Sequence, residues 1–156
     1  MNITGPAVPA NDRPFWEVTP LVAMSRDEWE AVCDGCGVCC LHKVEDDVTG
    51  KVFYTDVACC HLDRHTCRCT CYPDRTTEDA GCVALTPEGV ARWTWLPATC
   101  AYRRVADGRP LEWWHPLISG DPETVHRAGI SLRGRTVAKE TVAGEALADH
   151  IVDWPV

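Results

Sequence analysis

The sequence contains no cluster of lysine or arginine. Its 15 basic side chains are outnumbered by 23 acidic ones, which gives a formal net charge of −8. Proteins that bind nucleic acid through its phosphates need a basic face, so this charge balance argues against a nucleic-acid partner. A basic amphipathic helix of the kind that lies on membrane surfaces is absent as well. If a protein partner exists, the acidic surface favours a basic one.

Long apolar runs are also missing. No stretch approaches the roughly 20 residues of a transmembrane helix. Segment 1–14 carries three prolines and no apolar run typical of a signal peptide. We therefore expect a cytoplasmic protein without membrane contact, with a flexible N-terminal arm at 1–14. The 156 residues suit one domain, which we place at 15–156.

Cysteine, in contrast, is abundant, with 11 among 156 residues. In a reducing compartment this density is difficult to explain by disulfides. The number is odd, and the adjacent pairs Cys39-Cys40 and Cys59-Cys60 could bond internally only with strain. Unligated thiols at this density would be prone to oxidation. Metal ligation answers both objections, so a disulfide scaffold is the weaker interpretation.

The first cysteine block, residues 33–40, reads CDGCGVCC. Its C-x2-C-x2-C spacing suits a tight loop that turns thiols and backbone amides toward one centre, and Gly35 and Gly37 allow the unusual backbone angles. The spacing matches the opening of the bacterial ferredoxin run, although the fourth cysteine and the proline of that run are missing. Cys40 directly follows Cys39. We therefore expect these two side chains to face different metals, or one to face the metal and the other the core.

The later cysteines supply enough ligands for two four-coordinate centres or one polynuclear cluster; they are Cys59, Cys60, Cys67, Cys69, Cys71, Cys82 and Cys100. The alternation at 67, 69 and 71 would place three thiols on one side of an extended chain. Histidine can replace a thiolate at zinc, and His42, His61 and His65 are close in sequence. For each histidine, a surface or core role is the more frequent one.

Local signals predict an α+β domain with short elements and long loops organised around a cysteine-ligated metal centre. Ser25 and Glu28 have the spacing of a capping box, which predicts a short helix that runs to Cys33. Thr86 followed by proline predicts a second helix start. The β-branched and aromatic stretch 51–55 predicts a strand, and 130–132 suggests another.

The chain resembles the YcgN/YkgJ family of bacterial cysteine-cluster (CxxCxxCC) proteins, and its YcgN branch in particular. The resemblance runs from residue 15 to residue 154 and rests on segments 29–30, 33–43 (CDGCGVCCLHK), 57–59, 66–69, 72, 82, 95–103 (WLPATCAYR) and 114–117. Chelation of zinc or iron is attributed to this family. The resemblance implies that the family cysteines, and hence the metal ligands, are Cys33, Cys36, Cys39, Cys40, Cys59, Cys67, Cys69, Cys82 and Cys100. Cys60 and Cys71 look additional, so we expect both to be dispensable.

Three functions remain open at this point. Three local cysteines with a distant fourth favour an iron–sulfur centre for electron transfer, sensing or chemistry. A structural or chelated zinc ion in an interaction or metal-handling module is the alternative. An enzyme is the third possibility and the least supported, because nucleotide loops, zinc-protease motifs and nucleophile elbows are absent. The segment 113–116 (WWHP) could line a ligand pocket, but an aromatic corner with His115 bonded to backbone is the preferred interpretation.

Folding should depend on metal, because ligating thiolates repel one another without a cation. We expect strong chelators, or acid that protonates the thiols, to lower the helical circular dichroism signal and to expose tryptophan. Thermal unfolding of metal-loaded and metal-stripped protein measures the effect. An unchanged melting temperature after complete removal of metal would contradict the prediction.

Overall fold

The computed structural model describes residues 12–155, so most of the expected arm at 1–14 lies outside it. A small sheet is built from β1 (Leu41–Glu45), β2 (Val52–Ala58) and β5 (Val137–Ala138). Strand β2 pairs antiparallel with β1 and parallel with β5. A separate hairpin joins β3 (Leu62–Asp63) to β4 (Arg68–Cys69).

Seven short α-helices surround these strands in the described part of the chain: α1 (Phe15–Val18), α2 (Arg26–Val32), α3 (Arg75–Glu78), α4 (Pro87–Arg92), α5 (Ala101–Ala106), α6 (Pro116–Ser119) and α7 (Thr124–Arg127). Further 3-10 turns span Leu21–Ala23, Val38–Cys40, Tyr72–Asp74, Lys139–Thr141 and Gly144–His150. This small single domain of mixed helices and strands confirms the predicted α+β class. No helix within 12–155 combines the length and the apolar character needed to cross a membrane.

Helix α2 begins as its capping signature predicts. The Glu28 amide donates to Ser25 Oγ at 3.2 Å, and the Ser25 amide donates back to the Glu28 carboxylate at 2.9 Å. These bonds satisfy amides that a helix start otherwise leaves unpaired. The helix ends at Val32, so Cys33 directly follows a helix whose N-terminus is capped. Thr86 caps α4 in the predicted way, by accepting from the Gly89 amide at 3.0 Å.

Two small hydrophobic cores share the interior, and the cysteine block lies between them. One core forms around the sheet and contains Val38, Leu41, Tyr54, Ala58, Leu62, Cys67 and Leu132. The other forms among the helices and contains Val32, Val90, Leu96, Ala101, Tyr102 and Leu111. Trp95 packs against both cores, and its large side chain supplies buried area to each. Because neither core is large, we expect the cysteine block between them to contribute to the stability of the fold.

The strand expected at 130–132 is not formed. Its amides bond elsewhere: those of Ile130 and Ser131 reach the Val125 carbonyl at the end of α7, and that of Leu132 donates to the Cys36 carbonyl at 3.0 Å. Leu132 is fully buried. Burial of one leucine and closure of a helix end, rather than sheet pairing, therefore explain this apolar stretch.

Gly37 lies where this segment approaches the cysteine loop. Its φ is +75°, and a Cβ at this position would lie 2.8 Å from Leu132 Cδ2 and 3.1 Å from Cys67 Cβ. Gly120 has nearly the same φ, +74°, but a Cβ there would have no atom within 4 Å. The two glycines therefore share the backbone constraint and differ in the space available.

We expect Gly37→Ala to destabilise the protein by about 1–3 kcal/mol more than Gly120→Ala. Both variants carry the left-handed backbone cost of about 1 kcal/mol, and only Gly37→Ala also forces the buried Leu132 to move. Denaturant unfolding of the two metal-loaded variants measures the difference. Equal losses of unfolding free energy would show that the approach of Leu132 to the loop is not tight.

Candidate metal centre

The loop that carries the first cysteines is held by side-chain and backbone hydrogen bonds. The buried Asp34 carboxylate accepts from the Cys36 amide at 3.0 Å and from Trp114 Nε1 at 3.3 Å. The Gly35 amide donates to Cys33 Sγ at 3.4 Å. Gly35 and Gly37 both have positive φ, as the spacing predicted. The loop geometry is therefore fixed by the chain itself.

Four thiols form what we call the inner set: Cys33, Cys36, Cys39 and Cys100. The first three come from this loop, and Cys100 immediately precedes α5. Burial raises the pKa of Cys33 to about 12 and that of Cys100 to about 11, and it raises the pKa of Cys36 as well. The Cys33 residue is exposed, yet desolvation by the surrounding protein is the main cause of its raised pKa. The negative charge of Cys39 raises the pKa of each of the other three thiols.

Cys39 and Cys40 have different surroundings although they are adjacent. Cys39 packs against the helical core and Cys40 against the sheet core. A hydrogen bond between the two thiols lowers the pKa of Cys39 and raises that of Cys40. Electrostatic contact with Cys59 links Cys40 to the later cysteines. The two side chains therefore pack against different cores while their thiols stay in contact, and their assignment to different metals stays a prediction.

Lys43 is a site residue that sequence reasoning missed. Its Nζ donates to the Cys39 and Leu41 carbonyls at 2.8 Å each and lies 4.9 Å from the Trp95 ring centroid. Desolvation lowers the pKa of this lysine, and the nearby thiols, Cys39 first, counteract the shift. Lys43 therefore places a fixed positive charge beside Cys39 and Cys40. The sequence signal was a single lysine directly after a cysteine block.

A second group of thiols lies toward the surface, and we call it the outer set: Cys59, Cys69, Cys71 and Cys82. Cys69 Sγ and Cys71 Sγ are 3.8 Å apart. Cys59 Sγ is 3.9 Å from Asp79 Oδ2, and the Cys82 amide donates to the Asp79 carbonyl at 3.0 Å. Cys71, which we expected to be dispensable, thus lies beside the predicted ligand Cys69.

Cys67 lies apart from both sets. Cys67 is buried in the sheet core. Its Sγ lies 3.9 Å from His126 Nδ1 and beside Ser131. Cys67 is the one non-glycine residue with positive φ within 12–155, at 59°. This conformation turns it out of the extended path that would have aligned it with Cys69 and Cys71. Cys60 is exposed next to Cys59.

His42 is the histidine candidate on which the structure is most informative. Its Nε2 is a buried nitrogen without a hydrogen-bond partner among the described residues, and Thr55 Oγ1 donates to its backbone carbonyl. Its charged neighbours are Lys139, Asp79 and Lys43. An orphaned nitrogen of this kind can accept a metal, and His42 stays a predicted alternative ligand.

The interpretation of His115 as a structural residue is confirmed. His115 is 1% exposed, its Nε2 is 2.7 Å from the Val32 carbonyl, and its Nδ1 accepts from the Leu117 amide at 3.0 Å. A carbonyl can only accept, so Nε2 carries the proton and the ring is neutral. His115 therefore ties α6 to the end of α2, directly before Cys33.

The donor chemistry of both sets fits a thiophilic metal. Thiolate sulfur is the ligand that zinc and iron–sulfur centres prefer. No three cysteine, histidine, aspartate or glutamate side chains among residues 12–155 are already close enough to one point to hold a metal ion.

The fold and these thiol sets define a small cysteine-rich metal-binding protein. Residues 32–101 match the CxxCxxCC family, described as a "putative zinc- or iron-chelating domain". The chain is 58% identical over 142 residues to a UPF0260 protein of Cellvibrio japonicus. The alignment covers 91% of this chain and 97% of the relative. It is also 53% identical over 145 residues to a UPF0260 protein of Sinorhizobium fredii. That alignment covers 93% of this chain and 94% of the relative. The chain belongs to this UPF0260 family of CxxCxxCC proteins. No solved structure matches it.

Burial makes the stability pH-dependent through His115. Desolvation lowers its pKa below the ordinary value of 6.5, so the unfolded state binds a proton more readily than the folded state. The contribution of His115 is therefore complete above about pH 6.5 and is lost as the pH falls toward the lowered folded-state pKa. We expect His115→Asn to cost about 1–3 kcal/mol at pH 7.5, because the buried Val32 carbonyl loses its donor.

The same substitution should flatten the fall in unfolding free energy between pH 7.5 and pH 5.5. His65→Asn is the matched control, because His65 is exposed. Denaturant unfolding at several pH values gives both quantities. A pH slope that His115→Asn leaves unchanged would contradict the assignment of a neutral, buried ring.

Proposed function

We propose that the inner set, Cys33, Cys36, Cys39 and Cys100, holds an iron–sulfur cluster. The observation that carries the proposal is the combination of the C-x2-C-x2-C loop with a distant fourth cysteine at its side, which is an iron–sulfur pattern. Electrostatic contacts link Cys100 to Cys33 and Cys39 across more than sixty residues of sequence. Zinc on the same thiols is the alternative that the family description leaves open.

Backbone amides around the inner thiols support iron. The Gly35 amide donates to Cys33, the Val38 amide favours the thiolate of Cys36, and the amides of Arg103 and Tyr102 favour that of Cys100. Amide donors of this kind spread the negative charge of sulfur and tune the potential of iron–sulfur centres.

Lys43 and Asp34 set the charge around the inner thiols. Lys43 contributes a positive charge at Cys39, whereas Asp34 contributes a negative charge that raises the pKa of Cys33 and Cys36. A bound iron–sulfur cluster would supply one-electron redox chemistry here. The role we propose is therefore electron transfer or redox sensing in the cytoplasm, with a protein partner for the electron. Catalysis on a substrate is the less supported alternative.

Cys36→Ser should abolish iron binding at the inner set, because it replaces a soft sulfur by a hard hydroxyl oxygen. We expect protein purified without oxygen to be coloured and to contain iron and acid-labile sulfide, and the Cys36→Ser variant to lose both. Cys60→Ser is the control and should keep them, since Cys60 is exposed and outside both sets. Colourless wild-type protein that contains only zinc would overturn the proposal.

A further inference from the structure

We propose that the outer set forms a second metal position, in which Cys59, Cys69, Cys71 and Cys82 hold a single zinc ion. The inference rests on the proposed function only in assigning the inner thiols to iron. It places Cys71 among the ligands and leaves Cys67 out, although the alternation of residues 67, 69 and 71 in the sequence suggested one common face for all three.

The distance between the sulfurs of Cys69 and Cys71 is the first observation that supports a shared zinc ion. Their sulfurs are 3.8 Å apart. Two thiolates on one zinc ion, each at about 2.3 Å and at a tetrahedral angle, are separated by about 3.8 Å. The pair is therefore already spaced as two ligands of one metal ion.

Asp79 connects the other two members of the outer set. Its carboxylate lies 3.9 Å from Cys59 Sγ, while its backbone carbonyl accepts from the Cys82 amide at 3.0 Å. The turn after α3 thus holds Cys82 beside Cys59. Electrostatic contacts join the two pairs, because the charge of Cys59 acts on Cys71 and that of Cys69 acts on Cys82.

Two groups near the outer thiols favour their ionised forms. The backbone amide of His61 favours the thiolate of Cys59. Arg75 adds a positive charge that favours the thiolate of Cys82. Arg75 is itself fixed, since it donates to the Tyr72 carbonyl at 2.7 Å and stacks on the Tyr72 ring. Fixed positive charge beside four thiols is compatible with a structural zinc ion, which has no redox chemistry to tune.

The position of Cys67 explains why it is excluded. Its positive φ turns it into the sheet core, where its sulfur faces His126 and Ser131. A Cβ on Gly37 would lie 3.1 Å from Cys67 Cβ, so Cys67 packs under the first cysteine loop. The side chain therefore has a packing role in the sheet core.

Metal analysis of Cys71→Ser tests the inference. We expect this variant, purified without oxygen, to bind zinc at least tenfold more weakly than the wild type while its iron and sulfide per chain stay unchanged. Cys60→Ser should keep zinc, iron and sulfide, and Cys36→Ser should lose iron and sulfide but keep zinc. The two metals then report separately on the two sets.

Several results would overturn the second position. If wild-type protein contains iron but no zinc, the second metal position is wrong and the proposed function stands. If it contains zinc but no iron, the proposed function of the inner set is wrong. Loss of both metals in Cys71→Ser and in Cys36→Ser would indicate one polynuclear cluster. Normal zinc in Cys71→Ser would remove Cys71 from the ligands. If Cys71→Ser does not fold, zinc-edge X-ray absorption of the wild type decides: four sulfurs at about 2.3 Å support the site, and nitrogen or oxygen ligands reject it.

Discussion

Negative charge on closely spaced thiols is the constraint on which the rest of this structure depends. The chain already carries a formal charge of −8 before any thiol ionises. Burial and the negative charge of Cys39 raise the pKa values of Cys33, Cys36 and Cys100. Without a metal cation these three thiols stay protonated, because ionising them together would place like charges side by side. A metal ion replaces the protons and converts repelling groups into ligands of a common centre.

The position of the thiols between two small cores makes this constraint structural as well as chemical. Cys39 and Cys100 pack against the helical core, while Cys36, Cys40 and Cys59 pack against the sheet core. Metal ligation by the proposed sets would therefore join two cores, with Trp95 as a large side chain that packs against both. Lys43 and Asp34 complete the arrangement, because each presents a fixed charge to the loop while its own polar atoms are satisfied.

Much of this arrangement could be predicted from local sequence. The capping box at Ser25, the helix start at Pro87 and the glycine angles of the first loop are decided by a few neighbouring residues, so their patterns are reliable. The C-x2-C-x2-C loop could be predicted from neighbouring residues in the same way. The packing of Cys39 and Cys40 against different cores agrees with the expectation from their adjacency.

The remainder depends on contacts distant in sequence. The alternation of Cys67, Cys69 and Cys71 suggested one face, but a left-handed residue at 67 breaks the extended path. The side chain of Cys67 instead meets His126, which is distant in sequence. The apolar stretch 130–132 resembled a strand because its partners, a helix end and the Cys36 carbonyl, cannot be read locally. The charge of Lys43 is informative only once its amine is placed beside Cys39.

Native mass spectrometry of wild-type protein purified without oxygen tests the central claim, that the cysteines hold metal in two separate sets. The account predicts a folded ion whose mass exceeds that of the chain by an iron–sulfur cluster and one zinc ion, both lost on denaturation. A compactly folded ion with the mass of the bare chain would contradict it.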